Sequence, residues 1–343
     1  MIAIAALTLA PGQVGGSETY LRELLRALAR VGALEYRAVL PLAAADAAGG
    51  LPAATLDLGA NRGTAFARAV FDPRLRRYLA PADVVHYPLT VPAPHGGRRR
   101  AVTLHDVQHL DLPQLFSRRE LAYRRVAYDR AARRADRVIV VSEFVKRRAV
   151  DRLRIDARRI HVTPLGVDAT TLTPGGASRE PFLLYPARPW PHKNHARLFA
   201  AFDLIRRQRP ELRLVLTGGG TYDRLPDGVE NRGHIPRAEV VDLLRRAAAL
   251  VFPSLYEGFG LPPLEAMACA CPVACSDRGA LPEVVGHAAR LFDPTDPAAI
   301  AEAVLDVLRD PGPWVERGLA RAAEFSWDET ARRTDAVYAD LLM

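Results

Sequence analysis

Leu250-Val-Phe252-Pro-Ser-Leu-Tyr-Glu257-Gly-Phe-Gly-Leu-Pro-Pro-Leu-Glu265-Ala-Met-Ala-Cys-Ala-Cys-Pro-Val-Ala-Cys275 passes from a short apolar run through a glycine-bearing turn into a helical pattern, then out to a second apolar run. Leu250–Phe252 reads as a buried strand, Pro262–Ala270 as a helix and Pro272–Cys275 as the next strand. Pro262 and Pro263 fix φ and lack an N–H, which suits the first helical positions. Strand, crossover helix and strand make the repeating unit of a parallel α/β layer. The same stretch sets Glu257 in the turn and Glu265 eight positions later inside the helix. Gly258 and Gly260 expose backbone N–H groups just ahead of the helix start, where the dipole favours an anion. An anion cradle flanked by two hydroxyl-accepting carboxylates suits a diphosphate that carries sugar hydroxyls. An ordinary loop and capped helix would give nine residues of the same kind.

Working outward, β-type runs at Ile2–Leu9, Tyr36–Leu40, Val84–Tyr87, Ala101–Leu104, Arg137–Val141 and Ile160–Thr163 alternate with amphipathic stretches such as Glu18–Val31 and Glu120–Arg134. The series restarts at Phe182–Tyr185, Leu212–Thr217, Leu250–Phe252 and Pro272–Cys275, with helices expected over Ala196–Gln208, Ala238–Ala249 and Pro262–Ala270. Two successive βα series predict two Rossmann-like domains, and the turn formers of Pro164–Gly176 read as the linker. At 343 residues the chain is long for one core, which agrees with two. Ligands of open α/β sheets gather outside the carboxyl ends of the strands. Gly15-Gly16, His105-Asp106, Arg188–Lys193, Gly218–Gly220 and Glu257 all follow predicted strands, so they are expected to line one interdomain cleft.

Composition, with 49% hydrophobic and 25% charged residues, is that of a globular protein. No apolar run reaches the ~18 residues of a membrane-spanning helix. The first residues, Met1-Ile-Ala-Ile-Ala-Ala-Leu-Thr-Leu, lack a basic leader and read as a buried strand, which points to the cytosol. The net charge of +8 is uneven: residues 1–170 hold 27 basic and 16 acidic side chains, and residues 171–343 hold 20 and 23. Such a half suits an anionic acceptor or an anionic membrane face, and no nucleic-acid motif accompanies it. On a helical wheel of Arg118–Arg134 most arginines share one face, opposite Leu121, Ala127, Tyr128 and Ala131. That pattern fits a peripheral contact with the inner face of a membrane, and fits somewhat better an Arg-covered helix packed on its sheet. Cys269, Cys271 and Cys275 sit among Ala, Pro and Val without a fourth ligand, so they read as buried packing and no metal is assigned.

Four other constellations bear on chemistry. Gly12-Gln-Val-Gly-Gly16-Ser-Glu-Thr19 joins the first strand to the first helix, where Gly15 and Gly16 let a phosphate approach and Ser17 or Thr19 caps the helix. A plain strand–helix turn reads the same way. Arg188-Pro-Trp-Pro-His-Lys193-Asn194 places two cations five residues apart in a proline-stiffened loop. Arg supplies a planar fork of donors and Lys a point charge, a pairing that neutralises a diphosphate. Lys193 is one of only two lysines among 47 basic residues, which sets it against the arginine bias of the chain. His105 donates to a sugar hydroxyl or carbonyl oxygen in this reading, and Asp106 orients the backbone or an acceptor, with Gln108 and His109 beside them. A satisfied structural histidine is the alternative. Arg232-Gly233-His234-Ile235 forms a loop whose backbone can meet a nucleotide base, or a plain surface turn. No Gly-x-Ser-x-Gly nucleophile elbow is present.

Taken together these segments resemble the family 4 glycosyltransferases, retaining enzymes of the GT-B fold that use nucleotide-activated sugars, and in particular their mannosyltransferase-type members. The resemblance rests on Gly15-Gly16, His105-Asp106, Val140-Val-Ser142-Glu-Phe, Gly166-Val-Asp168, Arg188 to Lys193-Asn194, Gly218-Gly219, Glu257-Gly-Phe-Gly to Glu265, and the tail Phe325-Ser-Trp327-Asp-Glu-Thr. It implies an acceptor-side Rossmann-like domain over 1–166, a donor domain over 167–325, the two facing each other across a cleft, and a helix over 326–343 that crosses back to the first domain. It also implies that Arg188 and Lys193 bind the donor diphosphate with help from the Gly15-Gly16 backbone, and that Glu257 faces the donor sugar. Gly258, Phe259, Gly260 and Leu261 would lie near its hydroxyls and β-phosphate, Glu265 would hold ribose hydroxyls, Gly218 and His234 would flank the base, and His105 would reach the sugar. No cofactor or metal is implied beyond a GDP- or UDP-linked donor, and the acceptor would be a sugar or a lipid-linked sugar. The short polar segment after Gly218-Gly-Gly220 leaves the base open. Other readings are a GT-B phosphorylase, a sugar-nucleotide epimerase, or a non-catalytic nucleotide-sugar binder.

Overall fold

A computed structural model describes residues 1–12, 15–58, 68, 73–91, 96–176 and 178–343. Gln13 and Val14 of the first glycine turn lie outside the described residues. The chain divides into two compact units, one made of Met1–Gly166 with Trp327–Met343 and the other of Val167–Ser326.

In the first unit the described strands are β1 (Ile2–Ala5), β2 (Tyr36–Pro41), β3 (Ala53–Leu56), β4 (Val84–Tyr87), β5 (Arg99–Leu104), β6 (Arg137–Val140) and β7 (Ile160–Val162). They form one parallel sheet in the order β3-β2-β1-β4-β5-β6-β7. The second unit holds β8 (Glu180–Pro186), β9 (Arg213–Thr217), β10 (Val229–Asn231), β11 (Ala247–Phe252), β12 (Val273–Ser276) and β13 (Arg290–Phe292), parallel in the order β10-β9-β8-β11-β12-β13. β1, β4 and β12 are buried along their whole length, as strands covered on both faces must be.

Each order reverses once. In the first unit the chain builds β1, β2 and β3 to one side and resumes with β4 on the other side of β1. In the second it builds β8, β9 and β10 and resumes with β11 on the far side of β8. The crevice at the carboxyl ends beside such a reversal is where open α/β sheets bind ligands.

Several boundaries differ from the sequence expectation. β1 stops at Ala5, well short of Leu9, because Ala6–Leu9 turn away from the sheet while staying mostly buried. The helix expected over Ala238–Ala249 runs Arg237–Arg246, and Ala247–Ala249 open β11 instead. An alanine run suits a helix in isolation, but Ala247 and Ala249 are fully buried in strand pairing with β8. The stretch expected as one helix over Glu120–Arg134 is Arg118–Arg124, a π-helical turn Arg125–Asp129, and Arg130–Arg134. The extra residue of that turn shifts the wheel. Tyr123 and Val126 are exposed, whereas Asp129 is buried and pairs with His109 at 2.7 Å.

The last helix, Trp327–Leu342, belongs to the first unit. Asp335 accepts from Ala33 N–H at 3.0 Å and from the Tyr36 hydroxyl, and Arg137 Nε donates to Asp340 at 2.6 Å. Deeper in, the Tyr338 hydroxyl meets His86 Nδ1 at 2.7 Å, and His86 Nε2 meets Thr103 Oγ1 at 2.7 Å. These bonds tie the helix to β4 and β5 through polar groups that have no access to water.

Candidate functional site

The loop after β8 starts from Arg188 and ends in a short turn, Pro191–Lys193, followed by Asn194 at φ 63°. Asn tolerates that left-handed conformation better than most residues. Its side-chain nitrogen donates to the Pro253 and Pro294 carbonyls at 3.1 and 2.7 Å. Leu255 N–H donates to His192 O at 2.7 Å, and the buried Tyr185 hydroxyl donates to Lys193 O at 2.6 Å. The loops after β8 and β11 are therefore locked together at the reversal of the sheet.

Across this joint, Lys193 Nζ donates to Glu257 Oε1 at 2.6 Å, and each side chain is only 14% exposed. Lys193 Nζ also lies 5.3 Å from the centroid of the Phe252 ring, at the end of β11. An ammonium and a carboxylate so far from bulk water hold a fixed geometry, since losing either partner strands the other. The peptide of Glu257 is fixed as well. Ala280 N–H donates to Glu257 O at 3.0 Å, and Gly279, at φ +67°, leaves no room for a side chain: a Cβ there would lie 2.6 Å from Glu257 O. Three consecutive strand ends, those of β8, β11 and β12, thus define where one carboxylate sits.

Past Glu257, the helix Leu261–Ala268 starts after Gly260 with Pro at its first positions. The Phe259 ring packs edge-on against Phe325, with centroids 5.9 Å apart, and Leu261 is buried. Of these residues, the turn therefore presents backbone more than side chain. Glu265 is buried on this helix, and both of its oxygens are taken by one guanidinium: Arg237 Nη1 donates to Oε2 at 2.9 Å and Nη2 to Oε1 at 2.7 Å. Arg237 had no place in the sequence reading.

Gly218, at the end of β9, has φ +106°, and a Cβ on it would lie 2.9 Å from the Ala187 carbonyl carbon and 3.0 Å from Arg188 N. Its own N–H donates to Gly233 O at 2.9 Å. Bare backbone lets the Arg188 loop, the glycine loop and the Gly233-His234 turn close on one another. The Arg188 guanidinium lies 5.7 Å from the centroid of Trp190, and His234 is exposed. The structure therefore brings Arg188, Lys193, Gly218, His234, Glu257 and Gly258–Glu265 to the carboxyl ends of β8, β9 and β11.

The first unit has its own cluster at the β1/β4 reversal. The helix Gly16–Val31 begins after Gly15 with no side-chain cap, so neither Ser17 nor Thr19 plays the expected part. Glu18 instead accepts from Gly12 N–H at 2.7 Å. His105, just after β5, has Nε2 2.8 Å from Pro88 O, beyond the end of β4. A carbonyl only accepts, so Nε2 carries the proton. Burial holds the imidazole below its usual pKa, against the opposing pull of the Pro88 bond and Asp106. The neutral ring then offers Nδ1 as an acceptor, whereas the sequence suggested a donor to a sugar hydroxyl or carbonyl oxygen. Tyr20 stands edge-on to the ring at 5.0 Å and is itself held by Thr103 at 2.9 Å. Asp106 accepts from Gln108 N–H at 3.0 Å and so starts the turn Gln108–Asp111.

Comparison with known proteins follows this division. Residues 14–171 match the model of Glycosyltransferase Family 4, and residues 174–324 match that of Glycosyl transferases group 1. The O-antigen chain mannosyltransferase B of Escherichia coli is 31% identical over 283 residues, covering 75% of this chain and 74% of that protein. The chain belongs to the family 4 glycosyltransferases. Among solved structures, sucrose-phosphate synthase from Thermosynechococcus elongatus superimposes with a TM-score of 0.79 at 22% identity, covering 99% of this chain and 98% of that one. Anabaena HepE, solved with UDP and glucose, gives 0.75 at 17% identity, covering 98% and 99%. At those identities the likeness speaks for the fold, which is GT-B, two parallel α/β units in one chain.

Within this glycosyltransferase the three cysteines are free and buried, as packing residues, and burial pushes the thiols up, Cys269 to about 11 and Cys271 to about 12. Among the described residues no three His, Cys, Asp or Glu side chains gather to hold a metal ion, and no helix is long and apolar enough to cross a membrane. Tyr123 and Val126 are exposed among the exposed Arg118, Arg119, Arg125 and Arg130.

Proposed function

We propose that this glycosyltransferase moves a hexose, with mannose favoured, from a GDP- or UDP-linked donor to a sugar or lipid-linked acceptor in polysaccharide or glycolipid biosynthesis, with retention and without a divalent ion. The observation that carries the reading is the Lys193–Glu257 pair, held by three strand ends at the sheet reversal of the second unit. An ammonium has three donors, so Lys193 can keep Glu257 and still donate to a β-phosphate oxygen. Arg188, in the same loop, adds a planar fork, and the Gly258–Gly260 backbone supplies N–H groups at a helix start. Together these groups neutralise a leaving diphosphate as a cation would. Glu257, oriented by Lys193, accepts from donor-sugar hydroxyls, and Glu265 from the ribose.

In the transfer step the bond from the anomeric carbon to the β-phosphate oxygen breaks. The acceptor oxygen attaches on the same face, and its proton passes to the departing phosphate. No protein nucleophile takes part. In the first unit, the Nδ1 lone pair of His105 accepts from a substrate hydroxyl in this reading. The similarity to a mannosyltransferase supports the choice of sugar, and the UDP named in the HepE structure keeps uracil beside guanine as the base.

A thermal-shift panel of GDP-mannose, UDP-glucose, ADP-glucose and dTDP-glucose, run in EDTA, tests this. A donor at 100 times its dissociation constant contributes about 2.7 kcal/mol to the folded state. GDP-mannose or UDP-glucose is expected to raise the melting temperature by roughly 5–10 °C. Stabilisation by none of the four, or only after a divalent ion is added, would overturn the reading.

A further inference from the structure

We infer that Arg237 is a placeholder for the ribose diol on Glu265, and that its guanidinium leaves the carboxylate when a ribonucleotide binds. The inference rests on the proposed donor site and adds a residue to it. Arg237 Nη1 and Nη2 each meet a different Glu265 oxygen, at 2.9 and 2.7 Å. Two parallel bonds of that kind occupy the edge between the two oxygens. A vicinal diol that gives one hydroxyl to each oxygen needs that same edge, so diol and guanidinium exclude one another there.

The partners are unequal in a way that lets one of them move. The Glu265 side chain is 10% exposed and fixed on a buried helix, whereas that of Arg237 is 51% exposed. Arg237 is also the first residue of the helix Arg237–Arg246, where the dipole disfavours a cation. Glu265 is the anion that offsets this. Without a ligand the pair spares a buried carboxylate from lacking donors, which costs more than a surface pair returns. A ribonucleotide replaces two N–H donors by two O–H donors and sends the guanidinium into water, where an exposed arginine is well solvated. A 2′-deoxynucleotide offers one hydroxyl for two bonds, so the pair stays closed against it.

The test compares dissociation constants of UDP and 2′-deoxy-UDP, and of GDP and 2′-deoxy-GDP, in the parent, Arg237→Met, Arg237→Lys and Glu265→Gln. The deoxy-to-ribo ratio cancels any contact that Arg237 makes with phosphate. Removing a half-exposed pair that competes with the diol is expected to raise the ratio about threefold to fivefold in Arg237→Met. Arg237→Lys, which keeps a cation beside Glu265 and so guards the fold, raises it less because it lacks the fork. Glu265→Gln brings the ratio close to one. An unchanged or lowered ratio in both Arg237 variants, with Glu265→Gln still collapsing it, would overturn the placeholder and leave the ribose site standing. A ratio that Glu265→Gln does not change, or no binding of either ribonucleotide to the parent, would remove the ribose site itself.

Discussion

Lys193→Ala is expected to lose nucleoside-diphosphate binding by about 100-fold, since a charge-assisted contact to the diphosphate is worth roughly 1.5–3 kcal/mol. The same change should cost about 3 kcal/mol of stability, because Glu257, at 14% exposure, is left without its cation. The two effects separate in the paired variant Lys193→Met with Glu257→Leu. Replacing a buried ion pair by apolar groups of similar size is often neutral or stabilising. The paired variant should therefore recover a melting temperature near that of the parent while binding stays lost. Recovery of both would make the pair a feature of the fold alone. Parent-like binding in Lys193→Ala would remove the lysine from the diphosphate site.

Acidification should destabilise the protein well before its carboxylates are protonated. His86 is fully buried between Tyr338 and Thr103, and burial lowers its pKa from 6.5 to about 3. The unfolded chain binds a proton near pH 6.5 that the folded chain refuses, so the contribution of His86 is present above that pH and lost as pH falls towards 3. Over the two units from pH 6.5 to 4.5 the loss is about 3 kcal/mol, or roughly 5–10 °C in melting temperature for a unit of this size. His195, lowered to about 4 mainly by burial, works in the same direction in the second unit, and burial lowers His105 and His161 likewise in the first. Calorimetry across this range should show the fall, and His86→Gln should make it shallower for the first unit, where His105 and His161 still contribute. A melting temperature that is constant or rises on acidification would contradict a buried neutral His86.

The alternation of apolar runs with helical patterns was enough to place the central strands, because a strand covered on both faces must be apolar throughout. Val84–Tyr87 was legible to the residue. Among the described strands, β3, β10 and β13 were missed, and all three lie at sheet edges with half-exposed patterns such as Ala53–Leu56. These three carry no apolar run to read, whereas the edge strand β7 was legible from Ile160–Thr163. The candidate residues were legible as strand-end residues, but their partners were not. Lys193 and Glu257 are 64 positions apart, and they meet only because β11 returns to the free side of β8. Nothing local in Arg237-Ala-Glu239 points to Glu265, and a cation at a helix start reads as surface. The tautomer of His105 was hidden for a similar reason: it is set by the Pro88 carbonyl at the end of another strand.

The most direct measurement is a crystal structure with the nucleoside diphosphate that stabilises the protein most. It should show β-phosphate oxygens within hydrogen-bond distance of Lys193 Nζ and the Arg188 guanidinium, and ribose hydroxyls on Glu265 with Arg237 swung away. A diphosphate bound elsewhere on the chain, with Lys193 bonded to Glu257 alone and Arg237 still closed on Glu265, would contradict this assignment.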